Sequence, residues 1–437
     1  EMKYIQEAFD TNWVVPLGPN VNGFEDDLKR FVTSVVNSKE KESSFRDEGY
    51  PQSILPHEDN PDNLWKDSLP NLEDKRVVAL CSGTAAVHLS LIALGVKAGD
   101  EVICQSFTFC ASSHPVTYLG ATPVFVDSEK ETWNMDPLLL EEAIKDRISK
   151  TGKKPKAIIV VYLYGMPAKI KEILAVADKY NIPVVEDAAE GLGSRYNGQI
   201  CGTFGEYGVL SFNGNKMITT SGGGALICPN EEARTDVMFY ATQAREGYPY
   251  YQHEKIGYNY RLSNVCAGIG RGQMTVLDEH IAHHRHIAHL YEEAFSKIDG
   301  IAFHANPSPM FDSNYWLNTM TIDPSVKVKG QENAYQSTVK GAVGGAAGVI
   351  HAVADAHTDC EPNANIEAMR VYLDKANIES RPLWKPMHKQ PCYQNCPAYI
   401  TGVSESLFKI GMCLPSGPLV TDDDVNYIVE TIKSAIE

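Results

Sequence analysis

The segment Ala157–Asp187, AIIVVYLYGMPAKIKEILAVADKYNIPVVED, gives the clearest indication of the fold class. It opens with one continuously apolar run, AIIVV, and closes with another, PVVED. The stretch Lys169–Tyr180 between them has four apolar residues at the i, i+3, i+4, i+7 spacing of a helix with one apolar face: Ile170, Ile173, Leu174 and Ala177. A strand, helix and strand with runs this apolar are typical of a parallel sheet buried on both faces.

The same alternation extends on both sides of this unit. Between about Val77 and Cys228 the further strand candidates are VVAL, EVICQ, TPVFVD, YGVLSF and GALIC. This pattern predicts an α/β fold with a mostly parallel sheet. Ligands of such sheets bind at the carboxyl ends of the strands. We therefore expect the chemistry in the turns after VVAL, PVVED and YGVLSF.

Composition bounds the class of protein and its partners. The 437 residues include 39 Lys and Arg against 56 Asp and Glu, a net charge of −17. That charge repels the phosphates of nucleic acids and of anionic membranes. The ten Cys occur singly and no N-x-[ST] acceptor is present, which favours a reducing cytoplasm. We expect a cytoplasmic protein without nucleic-acid or membrane partners.

One apolar stretch required a separate interpretation. Val77–Val96 contains no Asp, Glu, Lys or Arg and is about as long as a membrane-spanning helix. The turn residues Ser82-Gly83-Thr84 interrupt it, so we predict a short strand, a turn and a buried helix.

A chain of this length exceeds the about 250–300 residues at which single cores stop growing, so we predict two domains. Residues 1–275 are expected to form the large domain, with an insertion at residues 37–74. Residues 276–437 are expected to form a smaller C-terminal α/β domain, with an insertion at residues 325–362. One long helix, Gln273–Ile298, is expected at the boundary, and the second domain resumes at Ile301.

The sequence contains three groups of metal-capable residues, and no metal site is predicted. The long helix carries five histidines, interpreted as a solvated face: His280, His283, His284, His286 and His289. The second insertion carries a further set, interpreted as a polar loop: His351, Asp355, His357, Asp359 and Cys360. Cys392 and Cys396 do not have a standard ligand spacing and are interpreted as incidental thiols.

Three motifs lie at the predicted strand ends. Ser82-Gly83-Thr84-Ala85-Ala86 stands between a strand and a helix, where backbone N–H groups bind phosphate. Asp187 ends the strand PVVED, where a carboxylate suits a cationic ring nitrogen. Lys216 lies 29 positions later in LSFNGNKMITTSGGG, and a desolvated lysine there would be nucleophilic toward aldehydes. Together, in this order along the chain, the three motifs predict a pyridoxal phosphate (PLP) site.

On these residues the chain resembles the DegT/StrS family of nucleotide-sugar aminotransferases, which have the aspartate aminotransferase-like fold type I. More closely, five segments resemble the 4-aminotransferases of the UDP-N-acetylbacillosamine pathway: SFNGNKMITTSGGG, ATQARE, GYNYRLSNV, IESRPLWKPMH and CLPSG. The resemblance implies amino transfer from L-glutamate to carbon 4 of UDP-2-acetamido-2,6-dideoxy-4-keto-glucose, with pyridoxamine phosphate as the intermediate cofactor form. A GDP-4-keto-6-deoxymannose aminotransferase and a non-catalytic protein that kept the fold are the alternatives.

The resemblance also implies roles for individual residues. Lys216 would hold the cofactor covalently and carry protons, while Asp187 would keep the pyridine nitrogen protonated. Phe109 would stack on the ring, although core packing explains it too. Glu190 would lie near the phenolic oxygen, where a carboxylate must be protonated, turned aside or paired. The phosphate would be bound by a further set of residues: Gly83, Thr84, Ala85 and Ser211.

A last group of predicted residues concerns the partner subunit and the substrate. Asn259 in GYNYRLSN would complete the phosphate site of the other subunit, which implies a homodimer with shared active sites. Four residues are expected to bind the substrates, facing the nucleotide-sugar or the donor carboxylate: Arg245, Arg261, Arg381 and His388. For Arg245, Arg381 and His388 a surface ion pair is the alternative.

Overall fold

The computed structural model of the protein describes residues 1–34, 72–334 and 360–437. The strands of these residues are β1 Arg76–Leu80, β2 Glu101–Gln105, β3 Thr122–Val126, β4 Ala157–Val161, β5 Val184–Asp187, β6 Arg195–Tyr196, β7 Gln199–Ile200, β8 Tyr207–Ser211, β9 Gly224–Cys228, β10 Ile301–Phe303, β11 Phe311–Asp312, β12 Asn318–Ile322, β13 Arg381–Pro382, β14 Ala398–Tyr399 and β15 Gly411–Leu414.

The α-helices are α1 Met2–Asp10, α2 Pro19–Val32, α3 Gly83–Ala93, α4 His114–Tyr118, α5 Pro137–Thr151, α6 Ile170–Lys179, α7 Glu231–Ala241, α8 Asn264–Met274, α9 Leu277–Phe295, α10 Ala364–Lys375, α11 Val403–Ile410 and α12 Asp422–Ala435. The predicted helix in the deciding segment is confirmed as α6. The prediction for Val77–Val96 is also confirmed: this stretch forms a strand, a turn and the buried helix α3.

The central sheet has the strand order β1-β9-β8-β5-β4-β2-β3-β14. Neighbours from β8 to β14 pair in parallel, whereas β9 pairs antiparallel with both β8 and β1. All seven apolar runs identified in the sequence are strands of this sheet. The predicted α/β class with a mostly parallel sheet is therefore confirmed.

Both faces of the central sheet are buried, as the apolar runs predict. In β4, Ile158 and Val160 pack into one hydrophobic cluster with Phe24 and Leu140, while Ile159 points to the opposite cluster with Leu89. Side chains alternate across a strand, so two apolar layers require consecutive apolar residues.

The C-terminal elements form a second, antiparallel sheet of order β10-β12-β15-β13. A third hydrophobic cluster packs around it, and includes Tyr291, Met320 and Ile428. The predicted domain boundary at residues 275 and 276 stays a prediction. One strand from beyond that boundary, β14, lies in the central sheet next to β3.

A carboxylate of the central sheet holds the segment that follows β14. Asp127 Oδ2 accepts backbone N–H hydrogen bonds from Thr401, Gly402 and Val403 at 2.9, 2.7 and 3.1 Å, and Oδ1 accepts one from Ser404 at 3.1 Å. These donors form the N-terminus of α11, where a negative charge is favourable. Burial alone would raise the pKa of Asp127, but these hydrogen bonds outweigh it and the pKa is lowered.

The prediction of one helix over Gln273–Ile298 is wrong at its start. α8 ends at Met274 and α9 begins at Leu277, with Val276 at φ −121° between them. The interpretation of the five histidines as a solvated face is also wrong for His284, which is buried with Nδ1 3.0 Å from the Tyr315 carbonyl oxygen.

Most of both predicted insertions lies outside the described residues. Residues 72–74 of the first form a 3₁₀ turn, and of the metal-capable set in the second only Cys360 is described, as a buried thiol. All ten cysteines are free. Within the described ranges, no three or more His, Cys, Asp or Glu side chains are placed to hold a metal ion. None of the described helices has both the length and the apolar character needed to cross a bilayer.

Candidate active site

The three predicted motifs meet at one edge of the central sheet. Asp187 is the last residue of β5 and Ser211 the last residue of β8, which is the parallel neighbour of β5. Lys216 lies in the loop after β8, and Ser82 follows β1. Parallel strands end at the same edge, so an acid, a hydroxyl and a lysine are gathered there.

The N-terminus of α3 forms one part of this site. Ser82 Oγ caps the helix by accepting the Ala85 N–H at 3.0 Å. A Cβ atom added to Gly83 would come within 3.1 Å of Ser211 Cβ, so the helix end lies directly against β8. At Gly224 a Cβ would come within 2.3 Å of the Ser82 carbonyl carbon, which explains a glycine there. A helix N-terminus beside a hydroxyl is suited to a phosphate.

One predicted phosphate ligand, Ala85, already has a hydrogen-bond acceptor in the protein. The N–H of Ala85 already donates to Ser82, so Ala85 offers an anion only a shared donor. The earlier N–H groups of α3, those of Gly83 and Thr84, have no acceptor within the helix, because the first turn lacks preceding carbonyls.

Asp187 is buried and held in one orientation. Its Oδ2 accepts a hydrogen bond of 2.6 Å from the Ser112 hydroxyl, and its Oδ1 accepts the Ala189 N–H at 3.2 Å. Thr108 Oγ1 lies 2.8 Å from Ser112 Oγ and extends the network. Burial raises the pKa of Asp187, whereas these hydrogen bonds and the charge of Lys216 lower it, and burial prevails. A cationic partner would offset that burial cost.

Lys216 is a desolvated amine between an acid and an aromatic face. Its Nζ lies 3.6 Å from Glu190 Oε1 and 3.9 Å from the centre of the Trp316 ring. Trp316 Nε1 donates to the Asn215 carbonyl at 2.6 Å and so fixes the loop beside the lysine. Burial lowers the pKa of Lys216, although the charges of Glu190 and Asp187 act in the opposite direction. A lowered pKa makes an amine a better nucleophile at neutral pH.

Glu190 is the buried acid that contacts Lys216. Its Oε2 accepts the Tyr164 N–H at 2.7 Å, and Tyr164 has the left-handed φ of 56°. The Asn314 amide donates to the Glu190 carbonyl at 2.8 Å. Burial raises the pKa of Glu190 to about 7 even though Lys216 lowers it. Glu190 is thus paired with Lys216 in this structure, and its predicted place near the phenolic oxygen stays a prediction.

Aromatic side chains form a wall of the site. Phe109 is half-exposed and lies 5.4 Å, between ring centres, from Trp384, which in turn lies 5.1 Å from Tyr164 and 6.3 Å from Trp316. The exposed ring of Phe109 is not core packing, and its exposure leaves it available to stack on a planar ligand.

Arg261 is not placed with the other candidates. Its Nη1 donates to Glu25 Oε1 at 2.7 Å and to the Ala79 carbonyl at 2.9 Å, and both charged side chains are less than a tenth exposed, at 8% and 7%. The same Glu25 oxygen accepts the Ala79 N–H. This buried pair ties α2 to β1, which gives Arg261 a structural role, and its predicted substrate contact stays a prediction.

The remaining candidates lie at or near the surface. Asn259 is exposed, and Arg245 lies 4.1 Å over the Tyr251 ring. Arg381 is exposed and pairs with Glu379 at 2.7 Å. The predicted interface role of Asn259 and the predicted substrate roles of Arg245 and Arg381 stay predictions.

His388 is engaged inside the protein. Its Nδ1 lies 2.7 Å from Ser106 Oγ and its Nε2 lies 3.1 Å from Glu405 Oε1. Because both ring nitrogens have protein partners, a substrate contact through this ring would have to replace one of them.

The donor set fits the cofactor that the sequence resemblance implies. A helix N-terminus with Ser211 suits its phosphate, Asp187 suits its ring nitrogen, and the desolvated Lys216 suits its aldehyde. Sequence reasoning missed three residues of the site: Ser112, Tyr164 and Trp316. Ser112 could have been found, since it lies three residues after the predicted Phe109 in the segment that follows β2.

Comparison with known proteins identifies the family. The model of the DegT/DnrJ/EryC1/StrS aminotransferase family matches residues 70–339 and 347–433. EpsN of Bacillus subtilis (strain 168), named as a pyridoxal phosphate-dependent aminotransferase, is 40% identical over 436 residues, covering 99% of this chain and 92% of EpsN. The GDP-perosamine synthase of Escherichia coli O157:H7 is 30% identical over 437 residues, covering 99% of this chain and 94% of its own.

A solved structure agrees on the fold. The crystal structure of a DegT DnrJ EryC1 StrS aminotransferase from Brucella abortus superposes with a TM-score of 0.75 at 24% identity, covering 99% of this chain and 94% of the other. The predicted aspartate aminotransferase-like fold is thus confirmed. With the family match extending over most of its length, the chain belongs to the DegT/DnrJ/EryC1/StrS aminotransferase family.

Proposed function

We propose that this aminotransferase uses PLP bound to Lys216 to move an amino group from L-glutamate to carbon 4 of a nucleotide-linked keto-sugar. The substrate we favour is UDP-2-acetamido-2,6-dideoxy-4-keto-glucose. The observation that carries the chemistry is the desolvated amine of Lys216, 3.6 Å from Glu190 and beside Asp187 at the end of β5. The name of EpsN, a PLP-dependent aminotransferase 40% identical to this chain, supports the cofactor.

Each residue of the site then has a chemical task. Bound PLP supplies an electron sink that makes the donor Cα–H acidic. Lys216 carries the proton between that carbon and the cofactor, which requires its neutral amine. Asp187, oriented by Ser112, keeps the proton on the ring nitrogen. The phosphate would be held by Gly83, Thr84 and Ser211, with a shared donor from Ala85.

The choice of sugar rests on short motifs. The segments IESRPLWKPMH and CLPSG, with the loop of Lys216, resemble the bacillosamine-pathway enzymes and support the UDP-sugar. A second candidate has its own support: the GDP-perosamine synthase relative, matched over 99% of this chain, favours GDP-4-keto-6-deoxymannose. Either product belongs to polysaccharide biosynthesis or protein glycosylation. Arg245 and Arg381 are exposed cations that suit a diphosphate or a donor carboxylate.

The active site is proposed to be shared within a cytoplasmic homodimer. Asn259 is exposed in the single chain and belongs to the motif that in this family reaches the partner's phosphate site. Light scattering of the purified protein should give twice the 48.2 kDa chain mass. A monomer with full activity would contradict this part of the proposal.

A panel of keto-sugars tests the activity and the substrate together. The PLP-loaded protein should absorb visible light, lose that absorbance with L-glutamate, and regain it with the correct keto-sugar. Turnover with the UDP-sugar only supports the favoured substrate, while turnover with the GDP-sugar only selects the second candidate. A protein that binds PLP but fails to bleach with any amino donor would be the non-catalytic alternative.

A further inference from the structure

Glu190 contacts the cofactor lysine but has no task in the chemistry described so far. We infer that Glu190 takes the proton of Lys216 whenever Lys216 must act as a neutral amine. One N–H bond of the Lys216 ammonium breaks and one O–H bond forms at Glu190 Oε1. Lys216 becomes an amine, Glu190 becomes a carboxylic acid, and the net charge of the pair is unchanged. The inference rests on the proposed role of Lys216.

The carboxyl group is placed for this transfer. One oxygen, Oε2, is fixed by the Tyr164 N–H at 2.7 Å, which leaves Oε1 directed at Lys216 Nζ at 3.6 Å. The Asn314 amide fixes the Glu190 backbone at the same time. A small rotation of the flexible lysine brings the two atoms to hydrogen-bonding distance.

The other acid near Lys216 is a poorer acceptor. Both oxygens of Asp187 already accept hydrogen bonds, Oδ2 from Ser112 at 2.6 Å and Oδ1 from Ala189 at 3.2 Å. Hydrogen bonds to a carboxylate favour its charged form. In addition, a cationic ring nitrogen at Asp187 would hold that carboxylate ionised. The proton of Lys216 therefore goes to Glu190.

The surroundings favour the neutral form of the pair, in which Lys216 is an amine and Glu190 a carboxylic acid. The side chains of Lys216 and Glu190 are only 12% and 3% exposed, and burial disfavours both charges. Burial lowers the pKa of Lys216 and raises the pKa of Glu190 to about 7, so the pKa values of the two groups approach each other.

The groups that face Lys216 and Glu190 influence which of the two holds the proton. The negative charge of Asp187 favours a proton on Glu190, whereas the Trp316 ring, 3.9 Å from Nζ, favours the proton on Lys216. The Tyr164 hydroxyl and the Cys413 thiol are neutral, because burial raises the pKa of each. Among the described residues named for this site, Lys216 is the cation that Glu190 faces.

The rate at which Lys216 captures PLP, followed by visible absorbance, measures the fraction of neutral amine without any turnover. In wild type, Lys216 and Glu190 together hold one proton over an interval of pH. As pH increases, the capture rate should therefore rise when the pair loses its first proton, stay level, and rise again when it loses the second. Glu190→Gln keeps an acceptor for the Tyr164 N–H but cannot take a proton, so the plateau should collapse into a single rise. Glu190→Asp should keep two rises at shifted pH.

A Glu190→Gln profile that superposes on wild type would overturn the inference. Lys216→Ala separates the two proposals: if it still captures PLP with the same absorbance, the assignment of the cofactor lysine fails instead. Should Glu190→Gln not fold, infrared spectra of Lys216→Met give the answer. In Lys216→Met, Glu190 has lost its cation. Its infrared band should therefore be that of a protonated carboxyl group even at a pH well above the ordinary glutamate pKa of about 4.3. A carboxylate band at that pH would contradict the inference.

Discussion

The Ser112 hydroxyl donates a 2.6 Å hydrogen bond to Oδ2 of Asp187, and the Thr108 hydroxyl lies 2.8 Å from Ser112 in turn. This chain of hydroxyls sets the orientation of a carboxylate that is buried at the end of β5. A charged acceptor makes the hydrogen bond stronger than one between neutral groups.

Ser112→Ala should weaken PLP binding. A hydrogen bond to a charged group contributes about 1.5–3 kcal/mol, so we expect at least a roughly tenfold rise in the PLP dissociation constant. Equilibrium dialysis with absorbance detection measures it. Ser113→Ala is the matched control, because the Ser113 hydroxyl donates to the Cys110 carbonyl and not to Asp187. Equal effects of the two variants would contradict the prediction.

Lys216→Ala should abolish covalent PLP binding and reduce turnover by about 10²–10⁴-fold, the usual contribution of a positioned acid or base. Hydride reduction followed by mass spectrometry should find PLP on the peptide of Lys216 in wild type and not in the variant. Lys97→Ala, a change at an exposed lysine, serves as control. Label on another lysine of the wild type would refute the assignment.

Arg261→Met should destabilise the fold more than it changes substrate binding. Glu25 would then keep only the more distant Arg234, 3.5 Å from its Oε2, as a cation. Breaking a buried ion pair costs up to about 3–5 kcal/mol, which denaturant unfolding can measure. Glu25→Gln combined with Arg261→Met should recover part of that loss. The neighbouring pair of Arg271 and Asp27, 3.4 Å apart and more exposed, is the control, and Arg271→Met should cost under about 1 kcal/mol. A large rise in KM with normal stability would favour the predicted substrate contact of Arg261.

Asp127→Asn should destabilise the protein, because an amide replaces a carboxylate that accepts four N–H groups at the start of α11. We expect about 2 kcal/mol in the free energy of unfolding. The folded-state pKa of Asp127 is lowered. Its contribution is therefore complete above the unfolded pKa of about 3.9 and is lost as pH falls through the folded value. The difference between wild type and variant should shrink in acid, and a difference that grew there would contradict this assignment.

Most of the central sheet could be predicted because the apolar signal of each buried strand lies within that strand's own residues. Seven of its eight strands are apolar runs buried on two faces, and each run carries that signal within five or so residues, so these seven were found. The eighth strand, β14, is only two residues long and was not predicted. The break between α8 and α9 could not be predicted, because the apolar pattern continues through Val276 and Leu277. Asp278 and Glu279 then supply the acidic first turn of a new helix, a weak signal beside that pattern.

The site was predictable only in part. Asp187 and Lys216 follow strands and have distinctive chemistry, whereas Trp316 is 100 residues from Lys216 in sequence and is brought there by the fold. The burial of Arg261 depends on Glu25 in α2, far away along the chain. Its motif alone suggested a ligand contact, since a buried ion pair and a substrate arginine use the same residue type.

The position of β14 has a consequence for biosynthesis. Its partner β3 is complete roughly 270 residues before Ala398 and Tyr399 leave the ribosome. During most of translation the outer edge of β3 therefore has open backbone donors and acceptors, the kind of edge that recruits foreign strands. Yields of full-length soluble product should thus depend on chaperones more than for proteins whose sheets close early, and chains cut short before residue 398 should aggregate.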